Sequence, residues 1–357
     1  MKRQLLFIFA IFIAFNATAQ SGKMVKSVTL KTGVAFNYDK DAQDSARVIF
    51  TPSGDSLAIK IYTKRDGSVD FLYSQIHHVV FWSNQPSIVP DAANVNKNNE
   101  IDLRKNPEAW RLEFPKLYQG SDITFEVTHS TPDYGITYSI EWDGKRRANR
   151  WSCYQIYANN KQKNVDRKNN FMEDPKIPSA YNVSPNEYSG SGYSRGHLCP
   201  SGDRLCSEEQ NSQTFYMSNM QPQIQNHNAG VWSKLEGKVR GTWAPQGKDS
   251  KDTLYVVKAA TIDPGNIKGY TKSELIVPKY FYMALLYYSK SSNSYSALGV
   301  WSPHEEKSVT EYITIDELER RTGIDFFCNL PDNIENEVES KIDNDKWGIK
   351  NALTNKL

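Results

Sequence analysis

Gly192-Tyr-Ser-Arg-Gly-His-Leu-Cys-Pro-Ser-Gly-Asp203 and Asn228-Ala-Gly-Val-Trp-Ser-Lys-Leu-Glu-Gly-Lys-Val-Arg240 are the two stretches from which the rest of the chain is read. In the first, Gly196 separates Arg195 from His197, so a permanent cation and a base that titrates near neutrality share a pliant backbone. The second predicts a helix over 229–241, with Val231, Trp232, Leu235 and Val239 at core-facing spacing. Asn228 stands at its start. Trp232, Glu236 and Arg240 follow at steps of four, which drift by roughly 40° each and form one stripe. Outward from these stretches the texture is β-rich, with strands expected at 123–128, 136–142, 151–157, 214–218, 254–257, 280–287 and 296–301. A further helix opens at Thr314-Ile-Asp-Glu317, a capping-box pattern, and stops at Gly323. Many strands and few helices, without strict alternation, predict an α+β fold on a mixed or antiparallel sheet.

The 357 residues exceed one ordinary hydrophobic core, so a large domain with a smaller companion is expected. Residues 1–19 combine a basic head, an eleven-residue apolar run and an Ala-Thr-Ala ending, and read as a secretory leader cut after Ala19. That run is too short to span a bilayer, which takes roughly 20 residues. An exported protein, periplasmic or extracellular and without a membrane anchor, is the expectation. Residues 20–110 read as a small β-rich accessory domain, with strands at 47–50, 57–62 and 78–82, and with 84–106 as a linker or long loop.

Lys and Arg total 43 against 41 Asp and Glu, and losing Lys2 and Arg3 with the leader brings the two into balance. A surface for nucleic-acid phosphates must then be local. Lys145 to Lys168 fits, with eight basic residues against the single acid Asp166, and Arg146 and Arg147 at its head. A solvated polar loop is the competing reading. Four cysteines, Cys153, Cys199, Cys206 and Cys328, suggest two disulfides in an oxidising compartment, with three pairings open. None forms a CxxC pair, which argues against structural zinc.

Six histidines are present, and only His197 has a chemical setting. Asn228 offers an amide oxygen at a helix start, an adequate ligand for Mg²⁺, which keeps several of its waters. Eight helical residues rise about 12 Å, so Glu236 fits a role through a water of the metal's shell rather than as a second direct ligand.

Set in order, these motifs resemble the DNA/RNA non-specific endonucleases of the ββα-metal (His-Me finger) type. That family's signature is D-R-G-H, then a strand ending S-N-M-x-P-Q, then an N-x3-W-x3-E-x3-R helix. Here these stand as Ser194-Arg-Gly-His197, Ser218-Asn-Met-Gln-Pro-Gln223, and Asn228 with Trp232, Glu236 and Arg240. Thr128-His-Ser-Thr131, Tyr138-Ser-Ile-Glu-Trp142 and Arg150-Trp151 resemble its opening strands, and Thr322 to Leu330 its closing segment. The likeness covers about residues 110–345.

The resemblance implies a ββα-metal core over 111–357, built on a central antiparallel or mixed sheet with flanking helices. It implies a secreted, Mg²⁺-dependent endonuclease, with Mn²⁺ as a substitute ion, that hydrolyses phosphodiester bonds of DNA and RNA. His197 would be the general base, Asn228 the direct metal ligand and Glu236 the holder of a metal-shell water. Arg195 and Arg240 would stabilise phosphate charge, and Asn219 would support the site or touch substrate. The likeness also suggests the pairing Cys153–Cys328, and Cys199 and Cys206, seven apart beside the R-G-H loop, are close enough for a local bridge. Ser194 departs from the family's Asp, which puts rate or metal affinity in question while leaving base and ligand in place. The alternative is an exported binding or adhesion protein on a decayed nuclease scaffold. The joint presence of His197, Asn228, Glu236 and Arg240 weighs against it.

Overall fold

The computed structural model describes residues 24–30, 35–38, 43–50, 56–63, 67–72, 76–82 and 94–349; the expected leader, 1–19, lies outside them. The chain divides into two compact units, Met1–Val89 and Pro90–Leu357. In the first, strands β1 (Met24–Leu30), β2 (Ala35–Asn37) and β6 (Ile76–Trp82) make one small antiparallel sheet in the order β2-β1-β6. β3 (Gln43–Phe50), β4 (Ser56–Thr63) and β5 (Gly67–Leu72) make another, in chain order. The β-branched runs expected at 47–50, 57–62 and 78–82 fall within β3, β4 and β6, and Val28 and Ile61 are fully buried.

The second unit is organised by a seven-stranded antiparallel sheet. Its strands are β7 (Thr124–Thr131), β8 (Gly135–Asp143), β9 (Ala148–Ile156), β12 (Thr253–Ala260), β15 (Tyr280–Ser289), β16 (Ser294–Pro303) and β17 (Glu311–Ile313), in the order β17-β16-β15-β12-β9-β8-β7. Two short ribbons complete the strand set: β10 (Ser194–His197) with β11 (Met220–Gln223), and β13 (Ile267–Tyr270) with β14 (Ile276–Pro278). Side chains alternate between sheet faces, and here both faces are apolar, so a core forms on each. Leu254, Val256 and Ala260 of β12 point into the first core, and Val257 and Ala259 into the second. The first core takes Leu198, Met220, Trp232, Leu235, Val239 and Trp243 from the segment between β9 and β12. The second takes Phe114, Leu117, Phe326 and Phe327 and the apolar sides of helices Ile315–Thr322 and Asp332–Glu339. This α+β architecture with a central antiparallel sheet agrees with the fold class expected from the sequence. Among the described residues no helix is long and apolar enough to cross a membrane.

Three local expectations are corrected. Residues 214–218 are not a strand: a helix at Glu208–Gln213 leads into a tight turn at Met217–Asn219, with only a single bridge, Tyr216 to Met172, before the β11 ladder starts at Met220. Polar side chains there bond the nearby backbone, Thr214 Oγ1 to the Asn211 carbonyl at 2.6 Å and Asn211 Nδ2 to the Ser201 carbonyl at 2.9 Å, which curls the chain away from a ladder. The segment read as a linker belongs in part to the second unit. Asn94 Nδ2 reaches the Leu330 carbonyl, Asn98 Nδ2 reaches the carbonyls of Ala109 and Pro115, and Glu100–Lys105 forms a capped helix. The four cysteines are all buried free thiols, so neither Cys153–Cys328 nor Cys199–Cys206 forms. Cys153 packs in the second core and Cys199 in the first, while Cys206 Sγ donates to Gln210 Oε1 and Cys328 Sγ to the Phe114 carbonyl. They serve as small apolar residues. The helix opened by Thr314 forms as expected: its hydroxyl accepts from the Glu317 amide at 3.2 Å, and Gly323 closes it in the left-handed region at φ 69°.

Candidate active site

The site is built on one long excursion of the chain, residues 157–252, that leaves the sheet after β9 and returns as β12. Its first part is the β10–β11 ribbon, in which His197 faces Met220 and Gly196 faces Gln221. Gly196 is required there, because a Cβ would lie 2.2 Å from Gln223 Oε1. The Asn219 side chain holds the turn after His197. Its Oδ1 accepts from the Cys199 amide at 2.8 Å and from Ser152 Oγ, and its Nδ2 donates to the carbonyls of Cys199 and Thr214. Fully buried and fully bonded, Asn219 supports the site and has no group left for substrate.

The second part is the helix that begins at Asn228's neighbourhood. It runs as Gln225–His227, a π-turned stretch Asn228–Trp232 broken at Gly230, an α-helical stretch Ser233–Lys238 and a second π-turned stretch Val239–Trp243. The straight stripe expected from steps of four is therefore bent, and its members have different tasks. Trp232 is buried in the first core. Glu236 meets Lys258 of β12, Oε1 to Nζ 3.0 Å. Arg240 donates to Asp203 Oδ1, lying close over Gly202, where a Cβ would approach its guanidinium to 2.8 Å. The other Asp203 oxygen accepts from the Tyr154 hydroxyl at 2.8 Å. Asn228 is half-buried on the same helix, and its amide makes no side-chain hydrogen bond among the described residues.

His197 is 9% exposed, between the rings of Phe171 and Phe215 at 5.9 and 5.0 Å, and its Nε2 is buried without a hydrogen-bond partner. Burial, reinforced by the charges of Arg167 and Lys258, pushes the imidazole down to about 3; a hydrogen bond to the Arg195 backbone opposes the shift. The ring is thus neutral at working pH, with a free lone pair. Glu236 is pushed up from the ordinary carboxylate range, mainly by burial, and Lys258 pulls it back. Arg195 stacks over Phe171 at 4.7 Å and donates to the Pro185 carbonyl, with its Nε buried and unpaired. Ser194, on the ribbon's exposed end, donates to Gln225 Oε1.

The structure thus groups His197, Arg195, Asn219, Glu236 and Arg240 around the first core, with Asn228 on the shared helix. It sets Arg146 and Arg147 apart. Arg146 pairs with Asp143 and Asp122 and lines a cavity of about 460 Å³ with Glu141, Trp151 and Tyr282, on the second face of the sheet. Arg147 is held by Glu187 and the Asn182 carbonyl. Both charges are already matched by acids, which returns them to structural work. The basic stretch supplies Arg167 instead, stacked on Phe215 at 4.9 Å beside His197. Asp203 and Lys258 were not singled out in the sequence. Lys258 had a signal: a lone Lys in Leu254-Tyr-Val-Val-Lys-Ala-Ala260 stands at an inward position and needs a buried partner. Asp203 had none beyond closing the glycine-rich stretch.

A family model described as DNA/RNA non-specific endonuclease matches residues 123–333. A nuclease from Nostoc sp. is 30% identical over 244 residues, covering 64% of this chain and 86% of its own. The human mitochondrial nuclease EXOG is 29% identical over 226 residues, covering 58% and 59%, and nuclease C1 of Cunninghamella echinulata is 29% identical over 211 residues, covering 54% and 81%. The chain therefore spans about three fifths of the length of the mitochondrial relative. A chain from the crystal structure of an EndoG/EndoGI complex aligns with a TM-score of 0.48 at 22% identity, over 61% of this chain and 90% of that one.

Proposed function

We propose, for a chain that belongs to the DNA/RNA non-specific endonuclease family and is a nuclease, that it is exported through its 1–19 leader and hydrolyses phosphodiester bonds of both nucleic acids with His197 as general base. The observation that carries this reading is the buried, neutral His197 Nε2 with no protein partner, flanked by cations. A ring whose lone pair is unused can take a proton from water. Burial, reinforced by Arg167 and Lys258, keeps it unprotonated before substrate arrives. A phosphate offsets their charge, which raises the ring's proton affinity when the proton must be taken.

The other residues divide the remaining work. Arg195 and Arg240 present permanent positive charge where negative charge grows on phosphate oxygens. Asp203 fixes the direction of Arg240, and Tyr154 fixes Asp203. Lys258, paired to Glu236, opposes the upward push that burial gives its carboxyl. The donor set suits a hard cation that retains most of its own water. Asn228 gives one uncommitted amide oxygen, Glu236 has a second oxygen beyond the one paired to Lys258, and no cluster of three His, Cys, Asp or Glu ligands lies here among the described residues. Mg²⁺, with Mn²⁺ as substitute, fits these donors, held by Asn228 with Glu236 beside it. Such an ion supplies Lewis-acid polarisation of the phosphate and stabilises the departing oxygen. Contacts of this kind are to the backbone of the nucleic acid, so both DNA and RNA are substrates with weak sequence preference.

The test is nicking of supercoiled plasmid and cleavage of RNA by the purified chain, with MgCl₂ and with EDTA. Cleavage of both that stops in EDTA and in His197→Ala supports the reading. Cleavage that persists in either condition sinks it. Amino-terminal sequencing of protein recovered outside the cytoplasm tests export: a start other than Gln20 contradicts the leader.

A further inference from the structure

The face of the sheet opposite His197 carries a second concentration of charge. An open cavity of about 440 Å³ lies where residues 95–96 meet the helices Ile315–Thr322 and Asp332–Glu339. Asp316, Glu319, Asp325, Asp332, Glu335 and Glu339 line it, and among the described residues no Lys, Arg or His does. Arg320 and Arg321, on the same helix as Glu319, are engaged by Glu317 and Glu311 instead. One oxygen each from Asp316, Glu319 and Glu339 comes within 4.8 Å of the other two.

An acidic cluster alone is common on protein surfaces, but Glu339 is not on the surface. It is 5% exposed, and its Oε1 is buried with no hydrogen-bond donor. The Asn96 Oδ1 is another buried acceptor without a donor, while its Nδ2 is committed to Glu335 at 2.7 Å and Asp325 at 3.3 Å. A buried carboxylate with neither donor nor counter-charge is costly, and a cation removes that cost. Burial, and after it repulsion from Glu319 and Glu335, pushes Glu339 up to about 10, so a proton is the competing occupant.

We infer that this cavity is a site for a divalent cation of the Ca²⁺ type, liganded by Asp316, Glu319 and Glu339 and completed by Asn96 and Glu335. The ligands are all hard oxygens, which excludes the nitrogen and sulfur preference of zinc. Ca²⁺ accepts six to eight oxygens at about 2.3–2.6 Å in a flexible shell, and three oxygens all within 4.8 Å of one another can share such an ion. Mg²⁺ demands near-ideal octahedral geometry and gives up its waters reluctantly, so a cavity lined by this many carboxylates suits Ca²⁺ better. The bound ion ties both helices to the segment that opens the second unit. It is a structural ion, distinct from the one proposed at Asn228.

The test is thermal unfolding of the EDTA-treated full chain at pH 8, with and without CaCl₂. A free concentration of 100-fold over Kd raises the Tm by about 5–10 °C. The rise is expected in the wild type and in Asn228→Ala, and is lost in Glu339→Gln and in Asp316→Asn, the latter at an exposed position that leaves packing intact. Without CaCl₂, Glu339→Gln unfolds at or above the wild-type temperature, because it removes the cost of burying the carboxyl. No rise in the wild type, or an equal rise in Glu339→Gln, overturns the site. An equal rise with MgCl₂ in Asn228→Ala, where the ion proposed at Asn228 no longer contributes, overturns the assignment to Ca²⁺.

Discussion

Removing the ammonium of Lys258 isolates the charge of Glu236. Lys258 is fully buried on β12, its Nζ 3.0 Å from Glu236 Oε1 and 5.2 Å from the Trp232 ring centre. At an effective dielectric constant of about 20, two unit charges at that distance attract by about 5 kcal/mol, most of which repays their desolvation in the intact protein. Lys258→Met retains the aliphatic volume and leaves the carboxylate alone, a situation that typically costs about 3–5 kcal/mol. Glu236→Gln in the same background removes the stranded charge, so the double variant should recover more than half of the loss. Urea unfolding of the wild type, both single variants and the double variant closes the cycle. The imidazole of His197 reports independently: with one of its two repelling cations gone, its titration, followed by NMR, moves to higher pH. A loss below about 1 kcal/mol in Lys258→Met, or a double variant no better than the single, refutes the assignment of Lys258 as counter-charge.

Three further predictions follow from the same geometry. His197→Ala should lower cleavage by roughly 10²–10⁴-fold, the usual worth of a general base, and extra Mg²⁺ should not restore it. Asn228→Ala should be partly rescued by extra Mg²⁺, and equal rescue of the two would show the roles to be misassigned. His227 and His304 are buried and pushed down to about 3 and about 4, so below pH 6.5 the unfolded chain binds protons that the folded chain refuses. Stability should therefore fall from pH 6.5 towards 4, and His227→Gln, which can still meet Gln223 and Ser302, should flatten that fall in calorimetry; an unchanged slope counts against it. Finally, thiol titration should find no reactive cysteine in the native protein and four after denaturation without reductant. Two or none after denaturation would restore the disulfides.

What the sequence disclosed and what it hid have physical causes. The strands of the sheet were legible because their apolar residues are continuous or alternate, as in Tyr280 to Tyr287, which is buried on both faces. The ribbon strand Ser194–His197 was not, since it is four residues long and paired only with Met220–Gln223, with no periodicity to detect. His197, Glu236 and Arg240 were found through motif spacing. Their partners were not, because Asp203 and Lys258 meet them only in space, from a turn and from a strand. Arg146 and Arg147 misled for the converse reason. A run of basic residues shows its charge in sequence, while the acids that neutralise it, Asp122, Asp143 and Glu187, arrive from elsewhere in the fold. The π-turned stretches left no mark beyond the glycines within them.

The excursion between β9 and β12 has a consequence for how such proteins can be recombined. Ile156, where the chain departs, is the register partner of Leu254, where it has returned. The whole of 157–252 is thus a cassette whose two ends already lie side by side on the middle of the sheet. Cutting at these two points and joining the corresponding segment of a relative leaves every ladder of the sheet and the entire second core uncut. His197, Arg195, Arg240 and the helix that carries Asn228 and Glu236 travel together in the cassette, while Lys258 and Tyr154 stay behind in the scaffold. A chimera therefore keeps the candidate site residues together and depends on the contacts that cross the join: the incoming acid at position 236 with the resident lysine, Asp203 with Tyr154, and Asn219 with Ser152.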